Sequence, residues 1–85
     1  MNNKFNIGEF IYTVDYDRKL IEKVEIIRIF ITKNGIYYDV IAPSVDFGHY
    51  EKRINEINTA KTIDECLELA KEYLLNQLKE FKIRD

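Results

Sequence analysis

Cysteine, histidine and proline are nearly absent from this sequence of 85 residues, which has one of each and no tryptophan. One cysteine cannot form an internal disulfide, and one histidine leaves few ligand sets for a transition metal. The longest apolar stretch, residues 24–31, is broken by Glu25 and Arg28 and is far shorter than the ~20 residues that span a bilayer. The largely polar first six residues do not resemble a secretion signal. We therefore expect a cytoplasmic protein with no cofactor, no metal and no membrane contact.

A strong excess of charge is also missing, since thirteen Lys and Arg stand against fifteen Asp and Glu, a net charge of −2. This balance excludes a generic polycation for nucleic acid and an acidic mimic of DNA. The length allows one domain, residues 1–85. Ile, Lys, Asn and Tyr make up 35 of the 85 residues. Because their codons are AT-rich, the composition indicates a gene from a low-GC bacterium, phage or plasmid.

Two strands are predicted in the first part of the chain. Residues 10–14 are all β-branched or aromatic, and residues 20–32 form a longer β-rich run. In the longer run the alternation of apolar and charged residues changes phase at Ile26 and Ile27. This change predicts either a β-bulge or a strand that is buried on both faces.

The dipeptide Asn34-Gly35 favours a two-residue type I′ hairpin, because both residues tolerate positive φ. Such a turn would pair Ile31 with Tyr38 and Phe30 with Asp39, and would divide the hairpin into two faces. The predicted core face carries Ile27, Ile29, Ile31, Tyr38 and Val40. The opposite face carries Arg28, Phe30, Thr32, Tyr37, Asp39 and Ile41. The apolar members of this second face must be either covered or used for binding.

The rest of the chain predicts a fourth strand, a turn and a helix. Residues 49–54 read as a short strand with Tyr50 and Ile54 inward and Lys52 outward, and residues 55–58 as a short 3₁₀ turn. The sequence from Thr62 to Glu65 is a capping box, from which a helix is predicted to run over 63–81. Its apolar stripe consists of Ile63, Cys66, Leu67, Ala70, Leu74, Leu78 and Phe81. Cys66 is therefore expected to fill the core.

The order of these segments resembles that of small, mostly uncharacterised SH3-like barrel proteins of low-GC Gram-positive bacteria and their phages. The resemblance rests on residues 7–14, 23–27, 34–40 and 62–67. It implies an α+β fold, in which a bent antiparallel SH3-like small β-barrel of four to five strands, about residues 5–58, precedes one C-terminal amphipathic helix, about 63–81. The shared motifs are structural, so no active site is carried over.

Candidate chemistry is sparse. Ser44, Asp46 and His49 share one loop but have no oxyanion element, and Asp15 and Asp17 lack the spacing of a calcium loop. We therefore expect no catalytic residues and no metal ligands. The candidate partner-binding residues are Tyr12, Tyr16, Phe47 and Tyr50 near the loop after the first strand, and Phe30, Tyr37 and Ile41 on the mixed hairpin face. Leu69, Tyr73 and Leu75 lie outside the helix stripe and are candidates for a homodimer contact.

The function expected from these features is that of a non-catalytic protein-interaction module. The resemblance and the codon composition suggest a phage- or mobile-element-encoded inhibitor or adaptor that acts on a host protein complex, in the manner of anti-defence or anti-CRISPR proteins. A nucleic-acid-binding SH3-like domain is the alternative, because tyrosines can stack on single strands. An enzyme or a metal-binding protein is a more remote alternative.

Overall fold

Six strands and one helix make up the regular structure of a computed structural model, which describes residues 2–44, 48–73 and 81–84. The elements in chain order are β1 Phe10–Asp15, β2 Leu20–Thr32, β3 Gly35–Ser44, β4 Gly48–Asn55, a 3₁₀ turn Glu56–Asn58, β5 Thr59–Ala60, α1 Ile63–Tyr73 and β6 Lys82–Arg84. The predicted bounds of the first two strands, the fourth strand and the 3₁₀ turn are confirmed to within one or two residues.

All six strands belong to one sheet with the order β4-β3-β2-β1-β5, and β6 pairs separately with β2. Neighbours along this order are antiparallel, whereas β6 runs parallel to the first three residues of β2. The end strands β4 and β5 do not pair in the part of the chain that the structure describes, so the sheet is open. The α+β class is confirmed.

The long strand β2 contains the irregularity that the change of phase predicted. Its pairing with β3 shifts between Ile26, opposite Val40, and Arg28, opposite Asp39. One extra residue, Ile27, is therefore accommodated in β2 as a bulge. The prediction of a bulge at this point is confirmed.

The β2–β3 turn differs from the predicted type I′ hairpin. Thr32 pairs with Gly35 and Ile31 with Ile36, so Lys33 and Asn34 form the two-residue loop. A type I′ turn requires positive φ at both central positions. Neither Lys33 nor Asn34 has positive φ, whereas the next residue, Gly35, does, at +142°. The Thr32 hydroxyl closes the turn by accepting from the Asn34 N–H and donating to the Gly35 carbonyl.

The assignment of hairpin residues to two faces is nevertheless correct for β3, although the predicted register is wrong. Ile31 was expected opposite Tyr38 and lies opposite Ile36, two positions away. Because side chains alternate with a period of two, a displacement of two keeps every residue of β3 on its predicted face. Ile31 itself is 54% exposed and does not join the core, because it lies at the tip of the hairpin.

Two apolar cores lie on opposite faces of the sheet. The inner core consists of Ile11, Val24, Ile26, Ile36, Tyr38, Val40 and Ala42, with Phe5, Ile29, Tyr50 and Ile54 packed against it. The outer core lies under the helix and consists of Val14, Ile21, Ala60, Cys66 and Ala70, with Tyr12, Tyr16, Leu67, Leu69 and Phe81 packed against it. The first half of β2 contributes to both cores, which explains its nearly continuous burial.

Helix α1 begins at the predicted capping box. The Thr62 hydroxyl accepts from the Glu65 N–H at 3.2 Å and also contacts the Glu65 carboxylate, as an N-cap does. The buried Cys66 confirms its predicted place in the core, and burial raises the pKa of its thiol to about 12. None of the helical segments that the structure describes is long and apolar enough to cross a membrane.

The helix is predicted to run over about 63–81, and the structure describes it as far as Tyr73. Residues 74–80 lie outside the described residues, Phe81 is not helical, and Lys82–Arg84 form strand β6. The Lys82 N–H donates to the Lys19 carbonyl at 2.9 Å, and β6 continues alongside the start of β2. The backbone hydrogen bonds of β2 decide this conformation, and the helical period of the sequence carries no information about them.

Candidate binding surface

No described residue covers the outer sheet face beyond the bulge, in contrast to the part of the same face that α1 covers. The helix packs against β1 and β5. We name the open part the distal outer face; it consists of Arg28, Phe30, Tyr37, Asp39, Ile41, Glu51 and Arg53. The Arg28, Glu51 and Arg53 side chains are each more than half exposed, and the apolar members are half-buried without belonging to either core.

Phe30 and Tyr37 lie side by side on this face, because they are directly opposite each other on β2 and β3. They line a cleft of about 390 Å³ together with Thr32, Asn34 and Arg53. The Arg53 guanidinium lies 4.2 Å from the centre of the Phe30 ring, a cation–π contact that also covers part of the ring. The Phe30 ring is thus held by Arg53, and both aromatic residues line the cleft.

An ion-pair network runs beside these aromatic rings. Register places Arg28, Asp39 and Arg53 in one row across three strands. Asp39 accepts from Arg28 Nε at 2.9 Å and from Arg53 Nε at 2.8 Å, and Arg28 also bonds Glu51 at 2.8 Å. Hydrogen bonds from Arg53 and then Arg28 lower the pKa of Asp39 to about 2. The two guanidinium groups are therefore oriented by carboxylates before any partner binds.

The sequence analysis missed this network, although a signal for it was present. Opposite charges at directly opposed positions stabilise a strand pair, and Arg28 and Asp39 are such a pair in the observed register. The predicted register placed Phe30 opposite Asp39 instead. Weighing the charge pair against the Asn34-Gly35 turn would have favoured the observed register.

A second, more polar cleft lies beside the turn between β1 and β2. It has a volume of about 420 Å³, and its lining includes Asp15, Tyr16 and Asp17 from the turn region and Lys52 and Arg53 from β4. Tyr16 also packs edge-on against the Phe81 ring, with 6.4 Å between the ring centres.

The other aromatic candidates do not share one site. Tyr12 packs against the outer core and Tyr50 against the inner core, on opposite faces of the sheet. The Tyr50 hydroxyl accepts from Arg18 Nη1 at 2.9 Å, which connects it to the β1–β2 turn. Phe47 lies outside the described residues. The structure therefore brings together Phe30 and Tyr37, with Ile41 on the same face, and separates Tyr12 from Tyr50.

Of the three candidate dimer contacts, only the Leu69 side chain lies in the described part of the chain. Leu69 is half-buried and packs against the outer core within one chain. Tyr73 is the last residue of α1, but its side chain and the whole of Leu75 lie outside the described residues. The packing of Leu69 makes it a poor choice for a contact between copies.

Lys52 points inward, so the prediction that it points outward is wrong. Strand alternation puts Lys52 on the same face as Tyr50 and Ile54, and its ammonium group binds Glu22 Oε1. Glu22 is fully buried, and its second carboxylate oxygen has no hydrogen-bond partner among the described groups. The pair joins β4 to β2 across the inner face, and their contact shows that the sheet curls towards that side.

Comparison with known proteins does not assign this surface to a family. No protein-family model, curated protein or solved structure matches the chain. In the described ranges no three His, Cys, Asp or Glu side chains come together in a group that could hold a metal ion. The functional argument therefore rests on the geometry of the surfaces described above.

Proposed function

We propose that this protein is a non-catalytic protein-interaction module whose partner binds the distal outer face. One observation carries the proposal: Phe30 and Tyr37 lie side by side on a sheet face that no described residue covers, with the Arg53 guanidinium stacked on Phe30. Aromatic residues and arginine are the residue types that supply most of the binding energy in protein interfaces. Here they are adjacent and already ordered, which lowers the entropy cost of binding.

The chemistry of this face indicates what the partner presents. The cleft between Phe30 and Tyr37 suits an apolar or aromatic side chain. Arg28 and Arg53 are already paired with Asp39 and Glu51, so a partner would add hydrogen bonds at the rim and would not need to supply a counter-charge. We propose a partner surface with an apolar centre and a polar, nearly neutral rim.

Nucleic acid is the less favoured partner, although two adjacent aromatic rings could stack on bases. Binding of phosphates depends on cations that are free to replace counterions. On the distal outer face, two arginines are matched by two carboxylates with which they form ion pairs. This local neutrality supports a protein partner over a polyanion.

The fold and the codon composition also bear on the kind of protein we propose. The curled antiparallel sheet with a bulge in its long strand supports a relationship to SH3-like barrels. In such a relationship, the open sheet and the parallel strand β6 would distinguish this protein from a closed barrel of four to five strands. Together with the codon composition, this supports the proposal that the partner belongs to a host complex and that the gene comes from a phage or mobile element.

The test is affinity capture from a low-GC bacterial lysate, followed by a titration with the recovered protein. We expect Tyr37→Ala to weaken binding about thirtyfold or more, since removal of a central interface residue costs about 2 kcal/mol or more. Ile57→Ala is the matched control, because Ile57 is 70% exposed and lies on the 3₁₀ turn, outside the residues that form this face.

Equal losses for Tyr37→Ala and Ile57→Ala would argue against the distal outer face as the site. Binding of labelled single-stranded DNA that falls steeply with added salt, and is lost in Tyr37→Ala, would instead identify a nucleic-acid-binding protein. In both experiments circular dichroism of each variant establishes that the fold is retained.

A further inference from the structure

The second half of β2 has an unpaired edge. On that side β1 pairs with β2 only as far as Phe10 opposite Glu25, and the last backbone hydrogen bonds join Gly8 and Glu9 to Ile26. From Arg28 to Thr32, β3 lies along one edge, and no described residue bonds to the backbone along the other. Alternate residues of an antiparallel strand turn their N–H and C=O groups to the same edge, so every second residue of this stretch presents backbone groups that no described residue pairs with.

The composition of this edge favours pairing with another strand. Ile29, Phe30 and Ile31 have high β propensity, and Ile31 leaves 54% of its surface exposed. Natural proteins blunt edge strands with charged residues, proline or bulges. The free edge of β4 shows such protection, because Glu51, Lys52 and Arg53 are consecutive charged residues on it. The edge of β2 has only Arg28.

From this contrast we propose that the edge of β2 from Arg28 to Thr32 is a dimerisation surface, which pairs antiparallel with the same segment of a second copy of this chain. An isologous contact of this kind must be self-complementary about a two-fold axis. Placing the axis at Phe30 centres the pairing on the stretch from Arg28 to Thr32 and leaves the bulge at Ile27 outside it. The two Phe30 residues then lie opposite each other.

In this register the remaining positions are also complementary. Ile29 lies opposite Ile31 of the second copy, so four isoleucines form one apolar row on the inner side and the exposed Ile31 becomes covered. Arg28 lies opposite Thr32, so no two like charges are opposed. The sheet would continue through both copies, and their distal outer faces would become one surface with the Phe30 rings at its centre.

The first test is the mass of the full chain in solution, measured by sedimentation equilibrium over a wide range of concentrations. We expect the wild type to approach twice its chain mass of 10.2 kDa. Ile31→Lys adds a charge to the edge and should weaken association about tenfold or more. Ile57→Lys is the control, because Ile57 is an equally exposed isoleucine outside the edge, and it should associate like the wild type.

The second test reports the register directly. Opposed residues at the axis of an antiparallel pair have Cα atoms about 4.5–5.5 Å apart, within the range of a disulfide. Phe30→Cys should therefore cross-link readily on mild oxidation, while the buried Cys66 does not react. Thr32→Cys should not cross-link, because the two copies of position 32 are about 13 Å apart along the strands.

Three results would each overturn the proposal: a wild-type chain that stays monomeric at every concentration, an Ile31→Lys variant that associates like the wild type, or cross-linking through position 32 in preference to position 30. A monomer whose β2 edge becomes protected from hydrogen exchange only with a foreign protein would assign the edge to that partner instead. These measurements need no partner, so their outcome is independent of the proposed binding function.

Discussion

The two halves of β2 belong to one strand but have opposite surroundings. In the first half, β1 pairs with residues 20–25 along one edge, β6 and β3 pair with the two ends of this stretch along the other, and cores on both faces bury most of the side chains. From Arg28 to Thr32, β3 is the only described strand beside β2, and no described residue covers its outer face. The buried contacts that stabilise the fold are therefore concentrated in the first half of β2, while its second half offers surface for binding.

The largest effect is expected from breaking the buried ion pair in the first half. Lys52→Met leaves the Glu22 carboxylate buried without its partner, which should cost about 3–5 kcal/mol of unfolding free energy. Urea denaturation followed by circular dichroism measures this loss. The double variant Glu22→Met with Lys52→Met should recover most of it, because an apolar pair replaces the ion pair. If the unfolding free energy of Lys52→Met is within about 1 kcal/mol of the wild-type value, the Glu22 carboxylate does not depend on Lys52 for its stability in the folded protein.

The second prediction compares the same substitution in the two halves. Ile21 is fully buried in the outer core, whereas Ile31 is 54% exposed. Ile21→Ala should lower the unfolding free energy by about 2–5 kcal/mol, and Ile31→Ala by less than about 0.5 kcal/mol. Urea denaturation at concentrations low enough to keep the chain monomeric measures both. Similar losses of unfolding free energy for the two variants would contradict the conclusion that the first half of β2 stabilises the fold more than the second half.

A smaller effect is expected at Tyr38, the buried residue that ties the N-terminal segment to the hairpin. Its hydroxyl donates to the Glu56 carboxylate and accepts from the Phe5 N–H at 3.3 Å. Burial, aided by that carboxylate, raises the pKa of Tyr38 to about 12. Tyr38→Phe should cost about 1–2 kcal/mol in urea denaturation, with Tyr37→Phe as the control. No loss would mean that the N-terminal segment is held by other contacts.

The smallest effect concerns the ion pairs of the distal outer face. The pKa of Asp39 is lowered from 3.8 to about 2, so the folded state favours its charged form. This contribution is complete above about pH 4 and is lost as the pH falls towards 2. Between these values the midpoint of thermal unfolding should fall more steeply for the wild type than for Asp39→Asn. Parallel pH profiles would show that the network adds nothing to stability.

Local patterns in the sequence located most of the strands, the bulge and the start of the helix. The alternation of β2 was enough to give its bounds, and the break in that alternation predicted the bulge at Ile27. Thr62 and Glu65 placed the N-terminus of α1. Each of these features depends on residues that are only a few positions apart, so a pattern along the chain contains the necessary information.

The errors arose where residues distant in sequence compete with a local preference. The Asn34-Gly35 turn was assigned from its own conformational preference, but the cross-strand pair of Arg28 and Asp39 favours a different register. Lys52 lies on the inner face because strand alternation places it there with Tyr50 and Ile54, and Glu22, thirty positions earlier, supplies the carboxylate that pairs with its charge. At the turn an interaction across the sheet outweighs the local preference, and at Lys52 the expectation of a solvent-facing charge overlooks a buried partner that is distant in sequence.

The amino-acid sequence alone therefore determines where β2 and α1 begin and which residues of the hairpin share a face, because hydrophobic periodicity and capping act over a few residues. Packing of distant segments determines that α1 covers only the first part of the outer face, that Glu22 meets Lys52, and that no described residue pairs with the edge from Arg28 to Thr32. These three features follow from how strands pair and stack at long range. The proposed binding face and dimer edge are both consequences of that packing.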